Sequence, residues 1–464
     1  MNMIIARLRN RSVTTHASRR LAVAPLWALA VAVAVASSTG AHEDAPHPHP
    51  HPFPAREQPR PTPLPDRVVL TFSGDPATSI DVCWRTDVTT GEPVAQIARA
   101  DAILGNLKDG KVPGARNVDG SRQAFESDLG ECHMHSVRFD GLEPGVLYAY
   151  RVGDGQHWSE WFQFRTAANH PEPFTFVYFG DAQNQLRSLW SRVIREANQY
   201  APRAAFMLHA GDLINSDDSD AEWGEWFGAG GWLNGTIPVV ATPGNHEYDK
   251  ERGLSAHWRP QFAFPLNGPS GLEETTYWFD YQGARFISLN SNERIAEQTA
   301  WLRGVLSDAE RPAWTIVTFH HPIYSAAKDR DNPELRAAWR NVLEEHGVDL
   351  VLQGHDHAYA RSGLGGPSNV PEGVRVASGH TVYVVSVSGP KQYALQETWD
   401  VPRVGSGVQL FQVITISPQE ARYEARLATG ELYDAFTLRK GADGKNALVE
   451  HEVGQPEIRA RAAD

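Results

Sequence analysis

Five segments of the chain share one pattern, in which a short apolar run ends directly in a cluster of polar residues. In order, the clusters are Gly180-Asp181-Ala182-Gln183, Gly211-Asp212-Leu213-Ile214-Asn215, Gly244-Asn245-His246-Glu247, His320-His321-Pro322 and Gly354-His355-Asp356-His357. Apolar runs of this length that alternate with helical stretches indicate an α/β domain. Ligands of such sheets bind at the edge where the strands end. The pattern therefore predicts one sheet edge that collects Asp, Asn and His side chains.

We expect this α/β domain to span residues 173–438. The apolar runs predict strands at residues 174–179, 205–208, 237–241, 285–289, 314–319, 350–352 and 382–387. The longer amphipathic stretches predict helices at residues 186–200, 295–306 and 334–346. Further strands between residues 409 and 438 are expected to complete the sheet, and residues 439–464 read as a polar C-terminal tail.

Residues 66–167 are predicted to be an all-β domain, because short alternating runs are separated by turn residues. Trp84 lies in one such run, where a sandwich core would bury it, and the turn Leu142-Glu143-Pro144-Gly145 leads into a run with Tyr148 and Tyr150. This stretch resembles a fibronectin type III-like sandwich. It contains no residue pattern that indicates catalysis.

The first 65 residues carry two other signals. Five arginines precede the apolar run 21–36, and small residues follow it, so that residues 1–41 read as an export signal leading to the periplasm or the exterior. Ser18-Arg19-Arg20-Leu21 resembles a twin-arginine signal, and an ordinary secretory signal is the alternative. Within residues 42–65, His47, His49 and His51 alternate with proline, which is typical of an extended linker, and a metal-scavenging tail is the alternative.

The chain has two cysteines, Cys83 and Cys132, both in strand-like segments of the all-β domain. In an exported protein such a pair suggests a cross-strand disulfide. The alternative is two free thiols. Neither cysteine lies near the five polar clusters, which argues against a catalytic thiol.

The residue types in the clusters are those that bind transition-metal ions. Carboxylates, an amide oxygen and imidazoles suit such ions better than they suit calcium. A carboxylate such as that of Asp212 can bridge two ions about 3.5–4 Å apart, a spacing that supports in-line displacement at phosphorus. A single cluster of this kind would be an ordinary turn, whereas five at equivalent positions predict a dinuclear centre.

The ordered set of clusters resembles the calcineurin-like metallophosphoesterases, and the preceding β-domain makes the chain most similar to purple acid phosphatases. The resemblance implies a four-layer α/β/β/α domain with two transition-metal ions, Fe, Zn or Mn. It implies that one ion is held by Asp181, Asp212 and His357, and the other by Asp212, Asn245, His320 and His355. It further implies that His246 contacts the phosphate and protonates the leaving group, and that a metal-bound hydroxide is the nucleophile.

The sequence departs from the family pattern at three places. Asn215 stands where purple enzymes have tyrosine, Gln183 stands where many relatives have a histidine, and Arg330 lies where plant-like enzymes have a histidine pair. We expect Gln183 or Asn215 to complete the first metal site through an amide oxygen. Arg330 is a candidate phosphate clamp, with pairing to Asp329 or Asp331 as the alternative. His321 is a candidate proton donor, with packing as the alternative.

These features predict an exported phosphomonoesterase that acts on a small phosphorylated substrate. A phosphodiesterase or phospholipase with the same centre is one alternative, and a non-catalytic metal-binding surface protein is another. The net charge of −13 argues against nucleic acid as the main partner. No segment predicts a stable membrane span, and the sequence leaves the oligomeric state open.

Overall fold

The computed structural model describes residues 60–103, 112–370 and 379–459. The predicted export signal and most of the predicted linker lie outside the described residues. The described end of the linker contacts the all-β domain, where Arg60 Nη1 donates to the Leu129 carbonyl over 3.0 Å. Within the ranges described, no helix is long and apolar enough to cross a membrane.

The N-terminal domain is a sandwich of two antiparallel four-stranded sheets, as the alternating pattern predicts. One sheet has the order β1-β2-β6-β5 and the other the order β4-β3-β7-β8. The strands are β1 (Asp66–Thr71), β2 (Ile80–Thr86), β3 (Val94–Arg99), β4 (Arg116–Asp119), β5 (Ser121–Ser127), β6 (Gly130–Phe139), β7 (Leu147–Gly153) and β8 (Phe162–Arg165). Trp84 is 1% exposed, and the Tyr148 hydroxyl accepts from the Glu143 amide over 3.0 Å, which fixes the predicted turn.

The second domain contains two seven-stranded sheets and one short hairpin. The first sheet has the order β11-β10-β9-β21-β22-β23-β24 and the second the order β14-β15-β16-β17-β19-β18-β20. Their strands are β9 (Phe174–Phe179), β10 (Met207–His209), β11 (Val239–Ala241), β14 (Tyr277–Tyr281), β15 (Ala284–Ser288), β16 (Trp314–Thr318), β17 (Leu350–Gln353), β18 (Tyr359–Arg361), β19 (Val382–Val385), β20 (Arg403–Gly405), β21 (Leu410–Ile416), β22 (Glu420–Leu427), β23 (Leu432–Lys440) and β24 (Asn446–Glu450). The hairpin pairs β12 (Tyr248–Asp249) with β13 (Gly253–Leu254).

Helices cover the outer faces of the two sheets. They are α1 (Ser191–Tyr200), α2 (Asp220–Gly230), α3 (Trp258–Gln261), α4 (Ile295–Leu306) and α5 (Pro333–Glu345). The α1 helix contacts β21 and α2, while apolar residues of α4 and α5 pack on β15, β16 and β17. Between the sheets, the Phe176 and Phe206 rings pack against Phe286. The order is helix, sheet, sheet, helix, which confirms the predicted four-layer α/β/β/α architecture.

The apolar runs that end in polar clusters are strands of the two facing sheets. The strands β9, β10 and β11 are parallel neighbours in the first sheet, and β16 and β17 are parallel neighbours in the second. Because parallel strands end at the same edge, the clusters converge there. The predicted helix at residues 186–200 is a regular α-helix only from Ser191. The helix α2 was not predicted, because its apolar residues are distributed around the helix and form no clear amphipathic stripe.

The prediction of a polar tail after residue 438 is wrong for the described part of that segment. Strand β23 continues to Lys440, and β24 then adds an antiparallel edge strand to the first sheet. Polar contacts hold this strand: Asn446 Nδ2 donates to Asp349 Oδ1 over 2.7 Å, and Arg361 forms an ion pair with Glu450 at 2.7 Å. A strand held by polar partners lacks the apolar alternation on which the sequence prediction depends.

A disulfide between the two cysteines does not fit this register. Cys83 pairs with Ser136 across β2 and β6, so Cys132 is displaced by four positions along β6. At roughly 3.3 Å per residue this separates the two residues by about 13 Å along the strands, beyond the reach of a disulfide. Both cysteines are buried free thiols. The free-thiol alternative is therefore the correct one.

The sandwich is fixed to the second domain through the outer face of its β1-β2-β6-β5 sheet. The Phe72 ring contacts Phe279 and Tyr281. At the start of β1, Asp220 of α2 accepts from Arg67 at 2.7 Å and from Arg85 at 2.8 Å, and all three side chains are buried. This second contact surface explains why all seven residues of β2 are buried.

Glu274 gives this interface a dependence on pH. Burial raises the pKa of Glu274 to about 7, Arg259 opposes the shift, and the Asp81 carboxylate across the interface adds to it. Because folding raises the pKa of this carboxyl, its protonated form favours the folded state. This contribution to the free energy of unfolding is complete below the pKa of the group in the unfolded chain, about 4.3, and is lost as pH rises through 7. We expect Glu274→Gln to increase the free energy of unfolding at pH 8 by about 1–2 kcal/mol and to have almost no effect at pH 4.5.

Denaturant unfolding at the two pH values measures this difference. Glu172→Gln, at an exposed position, is the control and should change stability at neither pH. An equal effect of Glu274→Gln at pH 4.5 and pH 8 would show that ionisation of this carboxyl is not the cause.

Candidate metal centre

The loops at the common sheet edge turn sharply at the residues that point into the site. Asp181, Asp212 and His355 have positive φ angles of 36°, 51° and 70°, a strained conformation that clusters at functional sites. Two glycines allow the loops to approach each other. A Cβ atom at Gly244 would lie 2.1 Å from Asp212 Oδ1, and one at Gly354 would lie 2.5 Å from Asp181 Oδ2.

One group of side chains forms around Asp212, His320 and His355. Their nearest ligand atoms all lie within 4.8 Å of one another. His320 Nε2 is 3.1 Å from Asp212 Oδ2. Asn245 Oδ1 lies 3.1 Å from His320 Nε2 and 2.9 Å from His355 Nδ1. Two imidazole nitrogens, a carboxylate oxygen and an amide oxygen therefore surround one point.

A second group shares Asp212 and consists of Asp181, Asp212 and His357, again within 4.8 Å. His357 Nε2 is 3.8 Å from Asp181 Oδ1. The amide of Gln183 enters this group, since its Nε2 lies 3.0 Å from both Asp212 Oδ2 and His357 Nε2. The other end of that amide, Oε1, is buried without a hydrogen-bond partner. Amide oxygen and nitrogen are assigned from their partners, so exchanging them would direct the oxygen at the centre of the group.

Hydrogen bonds outside the two groups orient the imidazoles. His320 donates from Nδ1 to the Ala210 carbonyl over 2.8 Å, and His357 donates from Nδ1 to the Lys391 carbonyl over 3.1 Å. Both rings therefore direct Nε2 at the site, where a bound ion would take the place of a proton on this nitrogen. Such outer partners fix the tautomer of metal-binding histidines.

The electrostatics of the site suit bound cations. Burial, together with the adjacent Asp212 carboxylate, raises the pKa of Asp181 well above its usual value against the opposing charge of His320. Burial works against protonation of His320, yet Asp212 and Asp181 raise its pKa to about 9. Burial holds His357 neutral by lowering its pKa to about 3. In the metal-free protein, protonated His320 thus supplies the positive charge that a bound ion would supply. The donor set fits two transition-metal ions.

The comparison with known families matches both domains. Residues 174–359 match the family described as Calcineurin-like phosphoesterase. The chain carries a calcineurin-like phosphoesterase domain. Residues 65–166 match the family described as Purple acid Phosphatase, N-terminal domain. The resemblance identified from the sequence is confirmed, and the phosphoesterase domain makes the chain a hydrolase of phosphoric esters.

Relatives and solved structures agree with this assignment. Acid phosphatase type 7 from Mus musculus and from Homo sapiens are each 29% identical over 331 residues, which cover 64% of this chain and 70% of the relative. Purple acid phosphatase 15 from Arabidopsis thaliana is 28% identical over 267 residues, 49% of each chain. The fold is similar to that of purple acid phosphatase PPD1 from yellow lupin, with a TM-score of 0.67, 19% identity, and coverage of 82% of this chain and 75% of that one.

His246 and Asn215 lie together beside the two groups of the phosphoesterase domain. The His246 amide donates to Asp212 Oδ1 over 3.0 Å, and its ring donates from Nδ1 to the Asn215 carbonyl over 2.6 Å. The Asn215 amide in turn donates to Glu222 over 2.7 Å. These contacts of Asn215 run through its backbone, so Gln183 is the better supported of the two candidate amide ligands.

Arg330 and His321 both lie next to His355 in the phosphoesterase site. Arg330 donates to the His355 carbonyl over 3.0 Å and lies 3.8 Å from Asp356. Asp331 pairs instead with Arg336. The His321 ring lies 2.8 Å from the Ser291 hydroxyl. Ser291 thus holds His321 beside the site, and Arg330 is attached to the loop of His355.

Glu247 is an important residue to which the sequence analysis assigned no role. Its buried carboxylate accepts from the amides of Asp212, Leu213 and Gly244 at 2.9, 2.7 and 2.7 Å. It therefore ties the loop that carries Asp212 to the loop that carries Asn245. The sequence did contain a signal for this role. An acidic residue that directly follows a buried strand is shielded from solvent and needs hydrogen-bond donors from the protein.

We expect Glu247→Gln to loosen metal binding without removing any ligand. A glutamine presents one NH2 group to backbone amides that themselves donate, so at least one of the three hydrogen bonds is lost. The expected result is a metal affinity lowered by about 10- to 100-fold, measured by competition with a chelator. Glu251→Gln, at an exposed position in the following loop, should leave the affinity unchanged; equal affinities for wild type and Glu247→Gln would contradict this role.

A sixth polar loop, which the sequence analysis did not single out, also reaches the site. It follows β19 and contains Lys391 and Tyr393. The Tyr393 ring centroid lies 4.7 Å from that of His357, and the Tyr393 amide donates to the His357 carbonyl over 2.8 Å. The same strand-end rule that identified the other loops applies here, since Ser386, Ser388 and Gly389 directly follow the apolar run.

Proposed function

We propose that this chain is an exported, acid-phosphatase-like phosphomonoesterase with a dinuclear metal centre. In this proposal Asp181, Asp212 and His357 hold the first ion, and the second is held by Asp212, Asn245, His320 and His355. The observation that carries it is the pair of overlapping donor groups that share the Asp212 carboxylate. Shared carboxylates of this kind place two ions at the spacing used for in-line displacement.

Gln183 is the further ligand that we propose for the first ion. Three protein donors leave that ion with fewer protein ligands than the second one, and the Gln183 amide lies between Asp212 Oδ2 and His357 Nε2. The buried, unpartnered amide oxygen supports this role. The mixed oxygen and nitrogen donors of both sites suit transition-metal ions such as Fe, Zn or Mn.

The reaction needs three contributions from the chain itself. Bound ions would polarise the phosphoryl oxygens and lower the pKa of water. The chain holds the ions through the donors named above, and Arg330 adds a cation beside the loop of His355. His246 is fixed through Nδ1 by the Asn215 carbonyl, so Nε2 is the nitrogen from which the imidazolium form of the ring would give a proton to the departing alcohol. His321, held by Ser291, is the second candidate proton donor.

Export rests on the features of residues 1–41, and it places the folded enzyme in the periplasm or outside the cell. A twin-arginine route would deliver the protein already folded with its ions. Cell fractionation combined with a protease-protection assay tests this proposal. We expect to find the chain outside the cytoplasm, and a full-length chain in the cytoplasm would contradict export.

The activity is tested with purified protein reconstituted with Fe, Zn or Mn. We expect two ions per chain by elemental analysis and hydrolysis of an aryl phosphate monoester. Turnover of an aryl phosphate diester alone would favour the phosphodiesterase alternative. No bound transition metal and no hydrolysis of either substrate after reconstitution would refute the enzyme proposal.

Asn215 predicts the colour of the iron-loaded protein. The visible band of purple enzymes requires an iron-bound tyrosinate, and Asn215 offers no phenolate at this position. We therefore expect an iron-loaded sample without a strong band in the visible region. An intense visible absorption that persists in a sample with two irons per chain would show that another tyrosine binds the metal.

A further inference from the structure

Two cationic side chains approach the proposed metal centre from the sixth loop and from the loop of Arg330. The Arg330 guanidinium carbon lies 4.9 Å from the centroid of the Tyr393 ring, and the Lys391 ammonium lies 5.3 Å from it. Tyr393 itself packs against His357. One aromatic ring thus brings both cations next to the ligands, Arg330 on the side of His355 and Lys391 on the side of His357.

Backbone contacts fix the two loops relative to each other. Ala327 and Leu395 form an antiparallel bridge. The Lys328 amide donates to the Ala394 carbonyl over 2.8 Å, and the Gln396 amide donates to the Ala326 carbonyl over 2.9 Å. The two cations are therefore presented by one connected platform rather than by independent loops, which lowers the entropic cost of using them together.

Both cations lie close to the proposed metal ligands. Arg330 is 14% exposed, donates to the His355 carbonyl over 3.0 Å, and places its Nη1 3.8 Å from Asp356 Oδ1. Asp356 Oδ2 accepts from the amides of Ala326 and Ala327 at 2.6 and 3.1 Å, which fixes this carboxylate on the platform. Lys391 is half-buried on the same platform, and its charge helps to lower the pKa of His357.

We propose that Lys391, together with Arg330 on the Tyr393 platform, recognises the second negative charge of a phosphate monoester and so sets the preference for monoesters over diesters. This inference rests on the proposed function. A monoester is a dianion near neutral pH and a diester is a monoanion, so a cation beyond the two metal ions stabilises the monoester more. Guanidinium and ammonium groups are both suited to phosphate oxygens.

The test compares Lys391→Met with wild type in the metal-loaded full-length enzyme. The methionine keeps the length of the side chain, and the backbone carbonyl that holds His357 is unchanged. We expect kcat/KM for an aryl phosphate monoester to fall about tenfold while that for the corresponding diester stays within about twofold. The inhibition constant for inorganic phosphate should rise by a similar factor, and the metal content should stay at the wild-type value.

Two further variants complete the experiment. Lys328→Met removes an exposed cation from the same platform and should change neither substrate. Lys391→Arg keeps the charge and should retain most of the monoester preference. Equal losses on both substrates, or an unchanged ratio for Lys391→Met, would overturn the inference while the proposed function stands. A wild-type enzyme that hydrolyses neither substrate would overturn the proposed function and the inference with it.

Discussion

Asp212→Asn is expected to abolish binding of the metal pair and to lower kcat/KM for an aryl monoester by at least about a thousandfold, or about 4 kcal/mol. Asp212 is the one side chain common to both donor groups. Asparagine keeps the shape but removes the negative charge, and its amide nitrogen cannot bind an ion. Both sites therefore lose a ligand through one substitution. Elemental analysis after dialysis, together with steady-state kinetics, measures the result.

The control for this variant is a comparison of its fold with that of the wild type. Asparagine still accepts from the His246 amide, which donates to Asp212 Oδ1 in the wild type, but it removes the carboxylate that faces His320 Nε2 at 3.1 Å. The metal-free variant should therefore keep the wild-type fold, measured by circular dichroism, with a lower resistance to unfolding than the metal-free wild type. Retention of two ions per chain by Asp212→Asn would show that the ions do not share this residue.

Asn245→Ala is expected to release the second ion while the first stays bound. The Asn245 oxygen lies between His320 Nε2 and His355 Nδ1 of the second site, whereas Asp181 and His357 belong to the first site. The metal content should fall from two ions to one, and activity should fall by at least about a hundredfold, since one ion cannot clamp both ends of the displacement. Titration of the metal-free variant with Zn or Mn, followed by calorimetry, distinguishes the two sites.

Asn292→Ala is the matched control for this loss. Asn292 donates to the Pro243 carbonyl behind the same loop over 3.1 Å, and it belongs to neither donor group. It should retain two ions and most of the activity. If Asn245→Ala kept both ions at wild-type affinity, the assignment of the second site would be wrong even though the loops converge.

The fold and the convergence of the five loops were predictable because both follow from local patterns. A buried strand that ends in Gly-Asp or Gly-Asn-His can be recognised from a few consecutive residues. Parallel strands then bring such ends together at one edge of the sheet. The same reasoning identified Gln183 as a candidate ligand. Only the three-dimensional structure shows that its amide contacts both Asp212 and His357.

The features that the sequence did not predict depend on contacts between distant segments. The strand β24 is held by Asp349 and Arg361, about a hundred residues earlier, and has little apolar pattern of its own. The register that separates Cys83 from Cys132 follows from strand pairing rather than from composition. The acidic type of Glu247 indicates that it needs donors, but only the structure shows that amides of the Asp212 loop supply them.

Anomalous diffraction from crystals of the metal-loaded protein, collected at the absorption edge of the bound metal, would locate the ions directly. We expect two anomalous peaks about 3.5–4 Å apart, with one Asp212 oxygen within bonding distance of each and Asn245 beside only one of them. A single peak, or two peaks that do not both contact Asp212, would contradict the shared dinuclear centre.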